Sequence, residues 1–200
     1  MQSIQTVSEN TIYVGASDRR LAKFENLFPI PRGVSYNAYV ILDEKTALLD
    51  TADASVGAQF LENVAAALDG RKLDYLIVDH MEPDHAAMIE AVLVRWPDLR
   101  LVVNAKTLPM LKMYFPTDNT AIDDALVVKE GDTLDLGKHK LTFVMAPMVH
   151  WPEVMMTFDT TTGTLFSADA FGTFGALEGA LFADEVDFAG KWLDDARRYY

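Results

Sequence analysis

Four side chains able to ligate a metal, His80, Glu82, Asp84 and His85, fall within six consecutive residues of the stretch Asp79-His80-Met81-Glu82-Pro83-Asp84-His85. Imidazole and carboxylate groups gathered on one short turn suit divalent transition metals, and the carboxylate-rich mix leans towards iron or manganese. A lone histidine at such a place reads as a solvated loop residue, and Asp84 alone as a helix N-cap. Four candidate donors at this spacing point to a metal site instead.

Elements of the right kind flank this stretch. Leu73-Asp74-Tyr75-Leu76-Ile77-Val78 reads as a largely buried strand, so His80 and Glu82 fall in the loop beyond its end. Pro83 removes a backbone donor from that loop and stiffens it. Asp84 and His85 then open a helix, because Met88, Ile89, Val92, Leu93 and Trp96 recur at helical period. Two further candidates lie just past strand ends, where loops converge: His150 after Val144-Met145-Ala146-Pro147, and Asp169 after Phe166-Ser167. A carboxylate has two oxygens to share, which suits Asp169 to bridging two metals; taken alone it reads as a turn aspartate before Gly172. Taken alone, His150 reads as well as a hydrogen-bonded loop histidine. Asp50 also ends a strand, and reads either as a group orienting a ligand or as an ordinary turn aspartate. His139, between Lys138 and Lys140 in a hairpin, reads as a surface residue. Trp151, Phe171 and Phe174 flank the candidate ligands, either as walls of a site or as core.

The rest of the chain alternates short strands and helices. Strands are expected over residues 11–15, 36–42 and 46–49, and the amphipathic spacing of Val56, Phe60, Val64 and Leu68 predicts a helix stopped at Gly70. Residues 99–103 read as a strand and 108–115 as a short helix. From Ala125 onward strands predominate, at 125–128, 133–136, 141–145, 154–158 and 164–167, with turns at Gly131-Asp132 and Gly137-Lys138. Residues 186–200 read as a helix whose apolar stripe includes Phe188, Trp192, Leu193, Ala196, Tyr199 and Tyr200, expected to dock on the sheet. This order suggests a layered α/β sandwich.

Composition narrows the function. Seventeen Lys and Arg against 30 Asp and Glu give a formal net charge of −13, which argues against nucleic acid and anionic membrane surfaces as partners. The chain has no cysteine, which excludes disulfides, thiolate zinc sites and cysteine-held iron–sulfur clusters. Residues 1–10 are polar and lack the apolar core of a signal peptide, and no apolar run is long enough to span a bilayer. A cytoplasmic location is expected. No dinucleotide fingerprint, P-loop or Gly-x-Ser-x-Gly nucleophile context is present.

The pattern His80-x-Glu82-x-Asp84-His85, followed by His150 and Asp169, resembles the metal signature of the metallo-β-lactamase superfamily. Glu82, where the hydrolases of that superfamily usually have histidine, resembles the flavodiiron proteins, or A-type flavoproteins. So do Ser35-Tyr36-Asn37-Ala38-Tyr39, His150-Trp151-Pro152-Glu153 and Asp169-Ala170-Phe171-Gly172-Thr173-Phe174-Gly175-Ala176-Leu177. The resemblance implies an αββα sandwich over residues 1–200, incomplete at the C-terminus, with two non-haem irons that reduce oxygen to water or nitric oxide to nitrous oxide. It implies that His80, Glu82 and His150 hold one iron, that Asp84 and His85 hold the other, and that Asp169 bridges them. It also implies FMN on a flavodoxin-like domain, rubredoxin or a similar electron donor, and a head-to-tail homodimer.

The family's pattern includes a later histidine on the second iron and a flavodoxin-like domain. None of the four histidines here follows Asp169, so the expectation is the N-terminal part of such a protein, prone to self-association and holding its second metal weakly. The alternatives are a zinc-dependent hydrolase of the same fold, against which Glu82 argues, and a non-catalytic fragment.

Overall fold

The computed structural model describes residues 3–115 and 120–199. Strands β1 (Gln5–Ser8) and β2 (Thr11–Tyr13) lead into the short strands β3 (Ala16–Asp18), β4 (Lys23–Phe24), β5 (Phe28–Pro29) and β6 (Val34–Tyr36). Strands β7 (Tyr39–Leu42) and β8 (Thr46–Leu49) form a hairpin, followed by α1 (Gly57–Leu68), β9 (Tyr75–Ile77), α2 (Pro83–Ala86), α3 (Ile89–Arg95) and β10 (Arg100–Asn104). Next come α4 (Thr107–Tyr114), α5 (Thr120–Asp123) and β11 (Leu126–Val128). A four-stranded meander follows: β12 (Thr133–Asp135), β13 (Lys140–Met145), β14 (Met155–Asp159) and β15 (Thr164–Phe166). The described chain closes with α6 (Phe188–Lys191) and α7 (Leu193–Tyr199).

The larger sheet has the order β1-β2-β7-β8-β9-β10-β11, and the meander forms the second sheet. Successive side chains of a strand point to opposite faces. The apolar runs of β7 to β10 therefore supply two cores at once. Val40, Leu48, Leu76, Leu101 and Val103 pack with Phe60, Val64 and Leu68 of α1 and with Ile89 and Val92 of α3. Ile41, Leu49, Ile77 and Val102 face Leu141, Phe143, Met155 and Phe166 of the second sheet. Burial of each large side chain contributes roughly 1.5–3 kcal/mol. α1 ends where expected, with Asp69 and Gly70 both left-handed at φ 47° and 80°.

Strands β8, β9 and β10 are parallel, so they all end at the same edge of the sheet. Strand β14 begins at that edge too, where the Met155 N–H donates to the Asp79 carbonyl at 3.0 Å.

Some boundaries differ from those expected. Residues 36–42 do not form one strand: the extended chain changes sheets at Asn37-Ala38, so that β6 pairs with β3 while β7 pairs with β2 and β8. The helix expected from Asp84 is broken at Ala87-Met88. Thr51 captures the His85 carbonyl through both its N–H (2.8 Å) and its hydroxyl (2.6 Å), which takes that carbonyl out of the helical ladder. The last helix is interrupted at Trp192. Trp192 covers Gly175, where an added Cβ would lie 2.2 Å from the indole, and the Arg32 guanidinium sits 4.0 Å from its ring centre. Tyr200 lies outside the described residues, as does the Tyr199 side chain. His139, expected at the surface, is buried: its Nδ1–H donates to Asp159 Oδ2 at 2.8 Å. Packing of the hairpin end against Asn10 and Asp43 covers a residue that its lysine neighbours suggested was exposed.

Candidate metal centre

The common edge of β8, β9 and β10 carries the site. After β9 the chain delivers His80 and Glu82, and Pro83 opens α2, placing Asp84 and His85 in its first turn. The loops after β13 and β15 bring His150 and Asp169 from the second sheet. Non-glycine residues in left-handed conformations turn these segments inward: Asp50 at φ 55°, Met148 at 69° and Ala168 at 48°. Such backbone persists where the surroundings over-determine it.

All six candidate ligands converge, in two groups that share Asp169. His80, Glu82, His150 and Asp169 each offer an atom within 4.8 Å of the others, and so do Asp84, His85 and Asp169. Asp169 Oδ2 lies 3.0 Å from His150 Nε2 and 3.4 Å from His80 Nε2. Its Oδ1 lies 2.8 Å from His85 Nε2. Glu82 Oε2 completes the first group, 2.9 Å from His150 Nε2 and 3.2 Å from His80 Nε2. Asp84 Oδ2 stands 3.8 Å from His85 Nε2. Only His150 is substantially exposed, its side chain 51% accessible, so the site is open on that side.

Two histidines are fixed from behind. His80 donates from Nδ1 to Glu153 Oε1 at 2.8 Å, and His85 from Nδ1 to Asp50 Oδ2 at 3.0 Å. Each ring thus presents Nε2 to the centre. Asp50, one of whose readings was an orienting group, is that group for His85. Glu153 was missed as a site residue; the available signal was its place three residues after His150, on a ligand-bearing loop. Glu25 was missed as well, and nothing in its sequence context marks it. It joins His150, Glu82 and Asp169 around a cavity of about 360 Å³ whose apolar lining includes Phe24, Phe28 and Phe174. Trp151 stands edge-on to His80, ring centres 5.4 Å apart, and so walls the site. Phe171 does not line that cavity and is 80% exposed.

The electrostatics fit a cation. Burial disfavours a charged His80, but the carboxylates of Asp169, Glu153 and Glu82 outweigh it and raise its pKa to about 11. His85 is likewise raised against burial, by Asp84, Asp169 and Asp50. Burial pushes Asp84 up to about 6. Asp169 is held well below the usual carboxylate range, since the contacts with His80 and His85 overcome the burial that opposes them. Without a metal, protons on the imidazoles must balance the clustered carboxylates. Among the described residues, Asp84 Oδ1 is buried without any hydrogen-bond donor, a costly state that a coordinated cation removes. The donor set, three imidazoles and three carboxylates, suits two adjacent divalent transition metals.

This architecture and donor pattern define a metallo-β-lactamase-like domain. A family described as ODP family beta lactamase matches residues 34–193, and the chain belongs to it. It is 37% identical over 196 residues to a nitric oxide reductase of Moorella thermoacetica, covering 97% of this chain and 48% of that protein. It is 37% identical to an anaerobic nitric oxide reductase flavorubredoxin of Klebsiella pneumoniae, covering 97% of this chain and 40% of the relative. Among solved structures, it superposes on the rubredoxin oxygen:oxidoreductase of Desulfovibrio gigas with a TM-score of 0.91 and 31% identity, over 99% of this chain and 48% of the other. The flavodiiron protein of Giardia intestinalis gives a TM-score of 0.89 at 26% identity, over 100% and 47%. The chain thus spans about half the length of the relatives it matches. Among the described residues, no helix is long and apolar enough to cross a membrane.

Proposed function

We propose that this chain is the diiron domain of a flavodiiron oxygen or nitric oxide reductase, spanning residues 1–200. The observation that carries the reading is the division of Asp169, with one oxygen turned to His80 and His150 and the other to His85. In this reading His80, Glu82 and His150 would hold one iron, Asp84 and His85 would hold the second, and Asp169 would be shared between them. Glu82 supports iron over zinc, because a carboxylate is a harder ligand than imidazole.

A pair of irons would supply electrons and concentrated positive charge to a small diatomic substrate. The protein's own residues do the remaining work. Glu153 and Asp50 hold two imidazoles in register, and Phe24, Phe28 and Phe174 give the cavity an apolar lining that favours a neutral gas over water. Electrons are assigned to FMN on a flavodoxin-like domain, supplied by rubredoxin or a similar carrier, within a head-to-tail homodimer in the cytoplasm. The names of the relatives include both a nitric oxide reductase and a rubredoxin oxygen:oxidoreductase, so both gases belong in the proposal.

Anaerobic titration with ferrous ion, followed by Mössbauer spectroscopy, tests the centre: two equivalents with a coupled diferric signal on oxidation are expected. Gas consumption is then measured with a reduced flavodoxin-like domain as donor. Zinc at both positions after expression with ample iron, together with ester or lactam hydrolysis, would overturn the reading.

A further inference from the structure

The two supporting carboxylates of the site are not equivalent. Glu153 is buried, and its Oε1 accepts both the His80 Nδ1–H at 2.8 Å and the Met81 N–H at 3.0 Å. Its Oε2 meets no donor from any other described residue. Its main chain is held from β10, where Asn104 Nδ2 donates to the Glu153 carbonyl at 2.5 Å. The Asn104 side chain is itself fixed, because its Oδ1 accepts the Lys106 and Thr107 N–H groups at the start of α4. Asp50 is placed differently. Its Oδ2 serves the His85 ring, while Oδ1 accepts the N–H groups of Asp79 at 2.7 Å and His80 at 3.4 Å. Asp50 therefore reaches the segments that carry both ligand groups, whereas Glu153 reaches only one. Both contacts that Glu153 Oε1 accepts come from the His80-Met81 stretch, so its charge bears on the imidazole it holds.

We propose that Glu153 is a positioning residue for one metal alone: it keeps His80 in the Nδ1–H form, aims Nε2 at the metal and strengthens that bond, making the two metal positions inequivalent. The proposal rests on the metal-centre reading above. The chain Asn104 to Glu153 to His80 is the device, and its target is the His80, Glu82 and His150 group. Asp50 supports both positions together.

Competition titration of the purified chain with zinc alone tests this. The wild type is expected to take two equivalents, the one at Asp84 and His85 more weakly. Glu153→Gln weakens one site about 10- to 100-fold and leaves the other unchanged, and Glu153→Asp recovers part of the loss. Asp50→Asn weakens both sites. Proton NMR of the zinc-loaded wild type shows a slowly exchanging His80 Nδ1–H close to the Met81 N–H. Wild-type affinity at both sites in Glu153→Gln, or an equal loss at both, overturns the proposal. Failure of the wild type to take any zinc overturns the metal-centre reading instead, and the metal-free protein then decides on Glu153. There, a His80 Nδ1–H that exchanges as fast in the wild type as in Glu153→Ala removes the positioning role, and slower exchange in the wild type supports it.

Discussion

Thr51 holds the His85 carbonyl with two hydrogen bonds, from its N–H at 2.8 Å and its hydroxyl at 2.6 Å. The pair ties the end of β8 to the turn that carries Asp84 and His85. Thr51→Val keeps the shape and the main-chain bond but removes the hydroxyl. Denaturant titration is expected to show a loss of about 1 kcal/mol. The Asp84 and His85 metal position is expected to lose affinity more than the other. Unchanged stability and unchanged metal affinity would show that the hydroxyl contributes nothing.

Metal uptake is expected to release protons. In the metal-free site the His80 pKa is raised to about 11 and that of His85 is also raised, so at neutral pH both rings carry protons that a metal must displace. The sign follows directly: apparent affinity rises with pH through the neutral range towards the His80 value. Below about 6, Asp84 adds a further proton to be displaced. Calorimetric titrations in buffers of different ionisation heat measure the release, and binding heats independent of buffer would contradict it.

Glu82→His is expected to raise the zinc-to-iron ratio of protein expressed under identical conditions. The substitution exchanges a hard oxygen donor for imidazole at a position shared with His80 and His150. Elemental analysis of both proteins gives the answer, and an equal ratio would count against a metal-selecting role for Glu82.

The fold class and the convergence of the candidate ligands were legible in the sequence, and the breaks within the frame were not. His80, Glu82, Asp84 and His85 are close in sequence, and spacing alone gathers them. His150 and Asp169 are distant, but each follows a recognisable strand, and the strands of a layered α/β fold deliver their ends to a common edge. The break after His85 was not legible, because its cause is a hydrogen bond from Thr51, 34 residues away. His139 misled for the same reason: its lysine neighbours describe the local chain, while its burial beside Asp159 depends on a strand 20 residues away. Glu153 was visible as a residue but not as a partner, since hydrogen-bond direction has no sequence signature.

Asp18 offers a test of electrostatics away from the metals. Its carboxylate accepts from Arg20 through the backbone N–H at 2.7 Å and the guanidinium at 3.0 and 3.2 Å, and the guanidinium contact is the main reason its pKa falls to about 2 from 3.8. The folded value is the lower one, so the stabilisation is present above about 3.8 and is lost as pH falls towards 2. The Arg20 side chain is 74% exposed, and solvent screening reduces the benefit to about 1 kcal/mol. Asp18→Asn is therefore expected to destabilise the protein by that amount at pH 7, with the gap from the wild type narrowing as pH falls from about 4 to about 2. A constant gap across that range would assign the effect to packing.

The shared direction of β8, β9 and β10 gives the molecule a working end and a blank end. Every loop that carries a candidate ligand leaves from the working end, while the turns at Gly70 and Gly163 lie at the other. A side chain added at either glycine meets nothing within 4 Å. Those two turns are natural ports for grafting: a short peptide inserted at Gly70 or Gly163 should leave metal loading intact, whereas the same insert after Pro147 or Ser167 should abolish it. Engineered sensors, tags or tethered electron donors can thus be attached without entering the half of the protein where the chemistry is assembled.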